Sequence, residues 1–143
     1  MRVALGSDER SPLTDAVVAD LQRRGHSVVE VGPPAGEDMQ WAEVGRALGR
    51  LVASNDVDTG VLFCWTGTGS SIAANKVPGV RAALCTDSHT AAGARKWNDA
   101  NVLVMSLRST TPATAGEMLD EWFGTEPDPS EKKNIELLES PHP

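Results

Sequence analysis

Apolar residues in this chain fall into short dense runs, and between those runs they recur at every third or fourth position. The short runs are Val3-Ala4-Leu5, Val28-Val29-Glu30-Val31 following Ser27, Val61-Leu62-Phe63, residues 80 to 84, and Val102-Leu103-Val104-Met105. Each has the length of a buried parallel strand. The stretches between them read as helices. Ser11-Pro12 opens the first, serine as N-cap and proline in the first turn, with Leu13, Val17 and Leu21 on one face and Gly25-His26 at its end. The breaker Gly32-Pro33-Pro34-Ala35-Gly36 precedes a second, whose apolar face is Trp41, Val44, Leu48 and Leu51. Ser70-Ser71 reads as the capped start of a third, running into Ile72-Ala73-Ala74. A fourth covers about residues 88 to 97, Pro112 opens a fifth that carries Met118, Leu119, Trp122 and Phe123, and residues 130 to 138 can form a last one.

Strands alternating with helices predict an α/β fold: a five-stranded parallel sheet covered on both faces. The carboxyl ends of such strands share one edge, and that edge is where ligands bind. Here it collects Asp8, Glu9 and Arg10 after the first strand and residues 64 to 71 after the third. Thr86, Asp87 and His89 follow the fourth strand, and Ser106 and Arg108 the fifth.

The stretch Cys64-Trp65-Thr66-Gly67-Thr68-Gly69-Ser70-Ser71 concentrates the candidate chemistry. Gly67 and Gly69 allow a tight turn that aims several N–H groups at one point, beside the positive end of a helix. Such a loop holds an oxyanion. A thiol next to it has its thiolate favoured, which makes Cys64 a candidate base or nucleophile. The dinucleotide fingerprint requires a third glycine where Ile72 stands, and the Gly-Lys-Ser/Thr of a P-loop is missing.

Composition narrows the partners. The chain has 143 residues, 40% of them hydrophobic and 23% charged, enough for one ordinary domain spanning residues 1 to 143, with 129 to 143 as a C-terminal helix and tail. A net charge of −7 argues against nucleic acid and acidic membranes, although a few local donors still accommodate a small anion. The two cysteines, Cys64 and Cys85, end different strands and form no disulfide framework, so a reducing cytoplasmic setting is expected. The apolar part of Met1-Arg2-Val3-Ala4-Leu5 is too short for a signal peptide, and no run reaches membrane-spanning length.

The long string from Cys64 through Ala73-Ala74-Asn75-Lys76-Val77-Pro78-Gly79 to Cys85 resembles the ribose-5-phosphate isomerase B and galactose-6-phosphate isomerase family. Gly6-Ser7-Asp8 and Asn98-Asp99-Ala100-Asn101-Val102-Leu103 extend the resemblance to about residues 1 to 125. It implies a Rossmann-like three-layer αβα sandwich and a homodimer, or a dimer of dimers, with sites shared between subunits. It also implies aldose-ketose isomerisation of a sugar phosphate through an enediolate, with no metal and no cofactor. Cys64 would then be the base, Thr66 would donate or relay protons, and the amides of Gly67, Thr68, Gly69, Ser70 and Ser71 would hold the enediolate oxygen. Asp8, Glu9, Asn98 and Arg108 complete the expected substrate contacts. Some members use a glutamate at the position of Ser70, and this chain resembles the cysteine type.

The departures bear on the substrate. Where members usually carry Asp-His, this chain has Asp8-Glu9; the histidine before Asn-Asp, implied to open the sugar ring, is Trp97; and Trp65 replaces the glycine after the cysteine. The aromatic-rich segment after the second strand survives as Glu37-Asp38-Met39-Gln40-Trp41-Ala42, and the basic C-terminal motif has become Ser130-Glu131-Lys132-Lys133-Asn134. Base and anion loop are retained while ring opening and phosphate grip change.

Several residues carry plainer readings. Cys85, Trp41 and Trp122 fit the core, His26 a surface turn, and Lys132-Lys133 a solvated turn. His89 is either a substrate contact or a solvated first-turn residue; Trp65 and Trp97 either pack at a dimer interface or narrow the pocket. Three functions compete: an isomerase using Cys64, a sugar-binding or interaction subunit that has lost catalysis, and a thiol hydrolase or transferase. The last lacks a histidine placed to pair with Cys64.

Overall fold

In the computed structural model, which describes residues 1 to 140, five parallel strands form one sheet in the order β2-β1-β3-β5-β4. The strands are β1 (Arg2–Ser7), β2 (Ser27–Val31), β3 (Thr59–Cys64), β4 (Ala82–Leu84) and β5 (Val102–Ser106). The helices are α1 (Pro12–Arg23), α2 (Trp41–Ala53), α3 (Thr68–Asn75), α4 (Ser88–Asn98), α5 (Pro112–Gly124) and α6 (Lys132–Glu139). The tail expected at residues 141 to 143 lies outside the described residues.

The dense runs of the sequence are strands because both of their faces are buried. Leu5, Val61, Phe63, Leu103 and Met105 point into one core with Leu13, Val17 and Leu21 of α1 and Met118, Leu119 and Trp122 of α5. Ala4, Leu62, Val102 and Val104 point the other way, against Val44, Leu48 and Val52 of α2 and Ala74 of α3. Alternation of side chains along each strand thus yields two cores and three layers. The Rossmann-like αβα expectation is met.

Helix starts follow their local chemistry. Ser11 caps α1, exchanging hydrogen bonds with Thr14, and Pro12 occupies the first turn. Thr111 caps α5 ahead of Pro112, its hydroxyl accepting from the Thr114 N–H at 3.1 Å. The start of α3 differs from the sequence reading: it begins at Thr68, not at Ser70-Ser71, and its N-cap is Gly67, which offers no side-chain bond. Gly67 lies at φ 83, and a Cβ there would come within 2.5 Å of Leu84 Cδ1. The left-handed turn at glycine brings the helix forward by two residues.

The fourth strand is shorter than expected, three residues in place of five, because Val80 belongs to a turn whose N–H bonds the Val77 carbonyl. Asn75 and Asn101 stabilise this short edge. The Asn75 side chain pairs with both the N–H (2.8 Å) and the carbonyl (2.9 Å) of Ala82. Asn101 accepts from Arg81 N–H at 2.7 Å and donates to the Gly79 carbonyl at 2.9 Å. Two asparagines within the family-like strings are therefore architectural. No helix among the described residues is long and apolar enough to cross a membrane.

Candidate active site

β1 is flanked by β2 and β3, so the chain reverses direction across the sheet between β1 and β3, and a crevice opens beyond their carboxyl ends. Asp8 follows β1 and Cys64 ends β3. Both line a cavity of about 310 Å³ whose remaining walls are Trp41, Trp65, Thr66, Thr68 and Gly69. The loop that carries them is clamped to the end of β5. Leu107 N–H donates to the Cys64 carbonyl and Arg108 N–H to the Trp65 carbonyl, each at 3.0 Å, and Ser106 Oγ donates to that same Trp65 carbonyl at 2.9 Å.

Cys64 is only 5% exposed, a sulfur at the floor of the cavity and not on its rim. Ser70 Oγ donates to it at 3.2 Å. The first N–H groups of α3 have no intrahelical acceptor and lie at the positive end of the helix. Thr66 and Thr68 share a hydrogen bond of 2.8 Å between their hydroxyls at the exposed side of the same loop. Asp8 is half-buried, and its carboxyl is pushed above the ordinary carboxylate range by burial, with the nearby Glu9 charge adding to the shift against a backbone hydrogen bond that opposes it. An aspartate so placed holds its proton to higher pH than a surface carboxyl does.

Several sequence expectations change here. Trp41, expected in the core, is 46% exposed: it opens α2 and lies across the first turn of α3, where a Cβ on Gly69 would meet its ring at 2.8 Å. Gly69 is thus required for a close approach of the indole, and Trp41 becomes a wall of the cavity. Trp65, 60% exposed, forms another wall. Ser70, for which the sequence reading uses the backbone amide, has a side chain that is fully buried and faces Cys64 and the Gly67 carbonyl.

Glu9, Ser71, Asn98 and Arg108 are absent from the walls of this cavity. Glu9 and Arg108 are exposed, and Ser71 is half-buried on α3. Asn98, Trp97 and His89 line a different hollow, beside the edge strand β4. Within one chain Trp97 therefore cannot narrow the Cys64 cavity. Arg10 is exposed and paired with Asp15 at 3.0 Å.

Other candidates resolve into structure. Cys85 is 1% exposed, and burial pushes its thiol up to about 12, with Asp87 contributing, which is the behaviour of an inert core residue. Trp122 is buried as expected and donates to Thr59 Oγ1 at 3.1 Å. A second cavity of about 310 Å³, lined by Arg81 and Arg95, lies at the opposite end of the sheet. Arg81 is bound to Glu139 at 2.6 Å, and Arg95 to the Ala100 carbonyl at 2.6 Å and Asp99 at 3.0 Å, so both guanidinium groups serve the fold. Among the described residues no three His, Cys, Asp or Glu side chains converge as a metal site.

The model of the ribose/galactose isomerase family matches residues 3 to 138. The chain belongs to that family. It is 35% identical over 126 residues to ribose-5-phosphate isomerase B of Escherichia coli, covering 87% of this chain and 85% of the relative. It is 34% identical over 128 residues to a D-erythrulose-4-phosphate isomerase of Pectobacterium atrosepticum, covering 88% and 84%. The type B ribose 5-phosphate isomerase of Trypanosoma brucei has the same fold, with a TM-score of 0.89, 36% identity and 96% of each chain covered. The Cys64 cavity brings a buried thiol next to the first backbone amides of α3.

Proposed function

We propose that this chain isomerises a short, open-chain sugar phosphate between its aldose and ketose forms, with Cys64 as the base. The observation that carries the reading is the sulfur at the floor of a cavity bounded by the N-terminus of α3. A proton on the carbon next to a carbonyl is acidified when the developing oxyanion is held by fixed donors, and the free amides of the α3 start supply them. The thiolate removes that proton, an enediolate forms, and the thiol returns the proton to the neighbouring carbon. Thr66, which lines the cavity and shares a hydrogen bond with the Thr68 hydroxyl, takes the role of relaying protons between the substrate oxygens in this reading. Family membership and an intact thiol beside an intact anion loop favour an enzyme over a subunit that has lost catalysis.

The four-carbon preference comes from ring chemistry. A tetrose or tetrulose 4-phosphate cannot close a ring through its phosphorylated hydroxyl, whereas ribose 5-phosphate must be opened first. Trp97, where the family resemblance implies a ring-opening histidine, offers an N–H donor and no accessible proton transfer. Glu9 is exposed, which weakens it as a substitute buried acid. One relative is itself named for D-erythrulose 4-phosphate. We expect kcat/KM on D-erythrulose 4-phosphate to exceed that on ribose 5-phosphate, and Trp97→His to raise the ribose 5-phosphate value. A parent enzyme that prefers ribose 5-phosphate, and loses that activity selectively in Glu9→Gln, overturns the open-chain reading.

Trp97 and Asn98 reach substrate only if they come from a second copy, since their own chain places them away from Cys64. The surface around them is apolar: Trp97 is 47% exposed, Leu137 72% and Leu138 65%. In this reading a homodimer covers this surface, and Arg10, Asn98 and the Lys132-Lys133 pair are the candidates to reach the partner's cavity. Light scattering at micromolar protein is expected to give twice the mass of one chain; a fully active monomer counts against the shared site. A reducing, cytoplasmic setting agrees with a buried working thiol.

A further inference from the structure

Ser70 is the third residue of α3 and is fully buried, yet its hydroxyl does not cap its helix. Its Oγ lies 3.2 Å from Cys64 Sγ and 3.4 Å from the carbonyl oxygen of Gly67. One hydroxyl proton therefore faces two acceptors. Which of them it serves depends on the charge of the sulfur, because a thiolate is the stronger acceptor and a thiol is a donor in its own right.

We propose that Ser70 is the positioning residue of Cys64, an inference that rests on the reading of Cys64 as the base. With the sulfur ionised, Ser70 donates to it and holds it in one rotamer toward the cavity. When the substrate C–H bond breaks, its electron pair stays in the enediolate and the proton forms the S–H bond. Ser70 then turns its own hydrogen to the Gly67 carbonyl and accepts from the new thiol. On the return step the S–H bond breaks, a C–H bond forms at the neighbouring carbon, and Ser70 turns back. It gains and loses no proton. Both forms of the buried sulfur keep a partner, so neither half of the cycle leaves the sulfur or the hydroxyl without a hydrogen bond.

A merely structural serine would share the burial but not the response to sulfur charge, and this separates the two roles. The experiment compares parent, Ser70→Ala and Ser70→Thr by iodoacetamide alkylation of Cys64 without substrate, over a range of pH, read by mass spectrometry of the peptide that contains Cys64. Loss of one hydrogen bond to a charged group corresponds to roughly a 10-fold or larger effect. Ser70→Ala is expected to alkylate about 10-fold more slowly at neutral pH and to recover the parent rate at higher pH, with kcat lowered by a similar factor and KM held within about two-fold. Ser70→Thr, which restores the hydroxyl, is expected to return both toward the parent. Alkylation and kcat of Ser70→Ala within two-fold of the parent overturn the proposal, as does a loss of activity and melting temperature with an unchanged alkylation profile. Should Cys64→Ala prove active, the base assignment fails, while the alkylation series needs no turnover and still reports on the Ser70 contact.

Discussion

Replacing Cys64 with alanine is expected to lower kcat on the preferred sugar phosphate by about 10²–10⁴-fold, the usual cost of losing a general base. The substitution removes one sulfur from a site that is 5% exposed, beside a cavity already present, so the sheet around it has little to rearrange. Cys64→Ser tests the same point with the shape nearly conserved: an alcohol in that position does not ionise near neutral pH. Two readouts separate chemistry from binding. Exchange of the substrate carbon-bound proton with deuterated solvent should disappear together with turnover, and KM, or the affinity for an unreactive analogue, should change little. An active Cys64→Ala variant places the base elsewhere, and Asp8 is then the first group to examine, since burial already holds its carboxyl above the ordinary range.

Gly67→Ala is expected to damage both stability and rate, and it tests the anion loop where Cys64→Ala tests the base. Gly67 has φ 83, a conformation that costs an L-residue about 1–2 kcal/mol. The added Cβ would also stand 2.5 Å from Leu84 Cδ1 and 3.3 Å from the backbone of Met105. Leu84 can move, at the expense of the short edge strand; the Met105 backbone is paired in register with Phe63 of β3 and cannot. The loop must therefore shift as a whole, moving the first amides of α3 relative to Cys64. A displacement on the order of 1 Å at a reacting centre can cost about 10²-fold in rate. We expect a lower melting temperature and a loss of turnover of that order, with Cys64 still chemically present. A variant with parent-like kcat shows that the start of α3 does not carry the oxyanion.

The alternation of dense apolar runs with helical spacing was sufficient, by itself, to determine the strands, the helices and the parallel sheet, because a strand buried on both faces and a helix buried on one leave different periodicities in the chain. The string from Cys64 to Cys85 was likewise sufficient to specify the family and the position of the thiol at a strand end. Proline and serine marked the start of α1 for reasons that are entirely local. What local rules missed depended on residues distant in sequence. Ser70-Ser71 resembles a helix cap, but the packing of Gly67 against Leu84 and Met105 starts the helix earlier and turns Ser70 inward onto Cys64.

Trp41 has helical spacing with Val44 and Leu48, and only the close approach allowed by Gly69, 28 positions on, places its ring over the first turn of α3 and not in the core. Trp97, His89 and Asn98 are all candidates for the pocket on sequence grounds, yet β5 lies between β3 and β4 and α4 runs back from the loop edge, so they line a hollow beside β4 and not the Cys64 cavity. Periodicity reports which face of an element is buried. It carries no information about the lateral order of strands or about which distant side chain fills the space that a glycine leaves, and here those two facts decide which residues surround the sulfur.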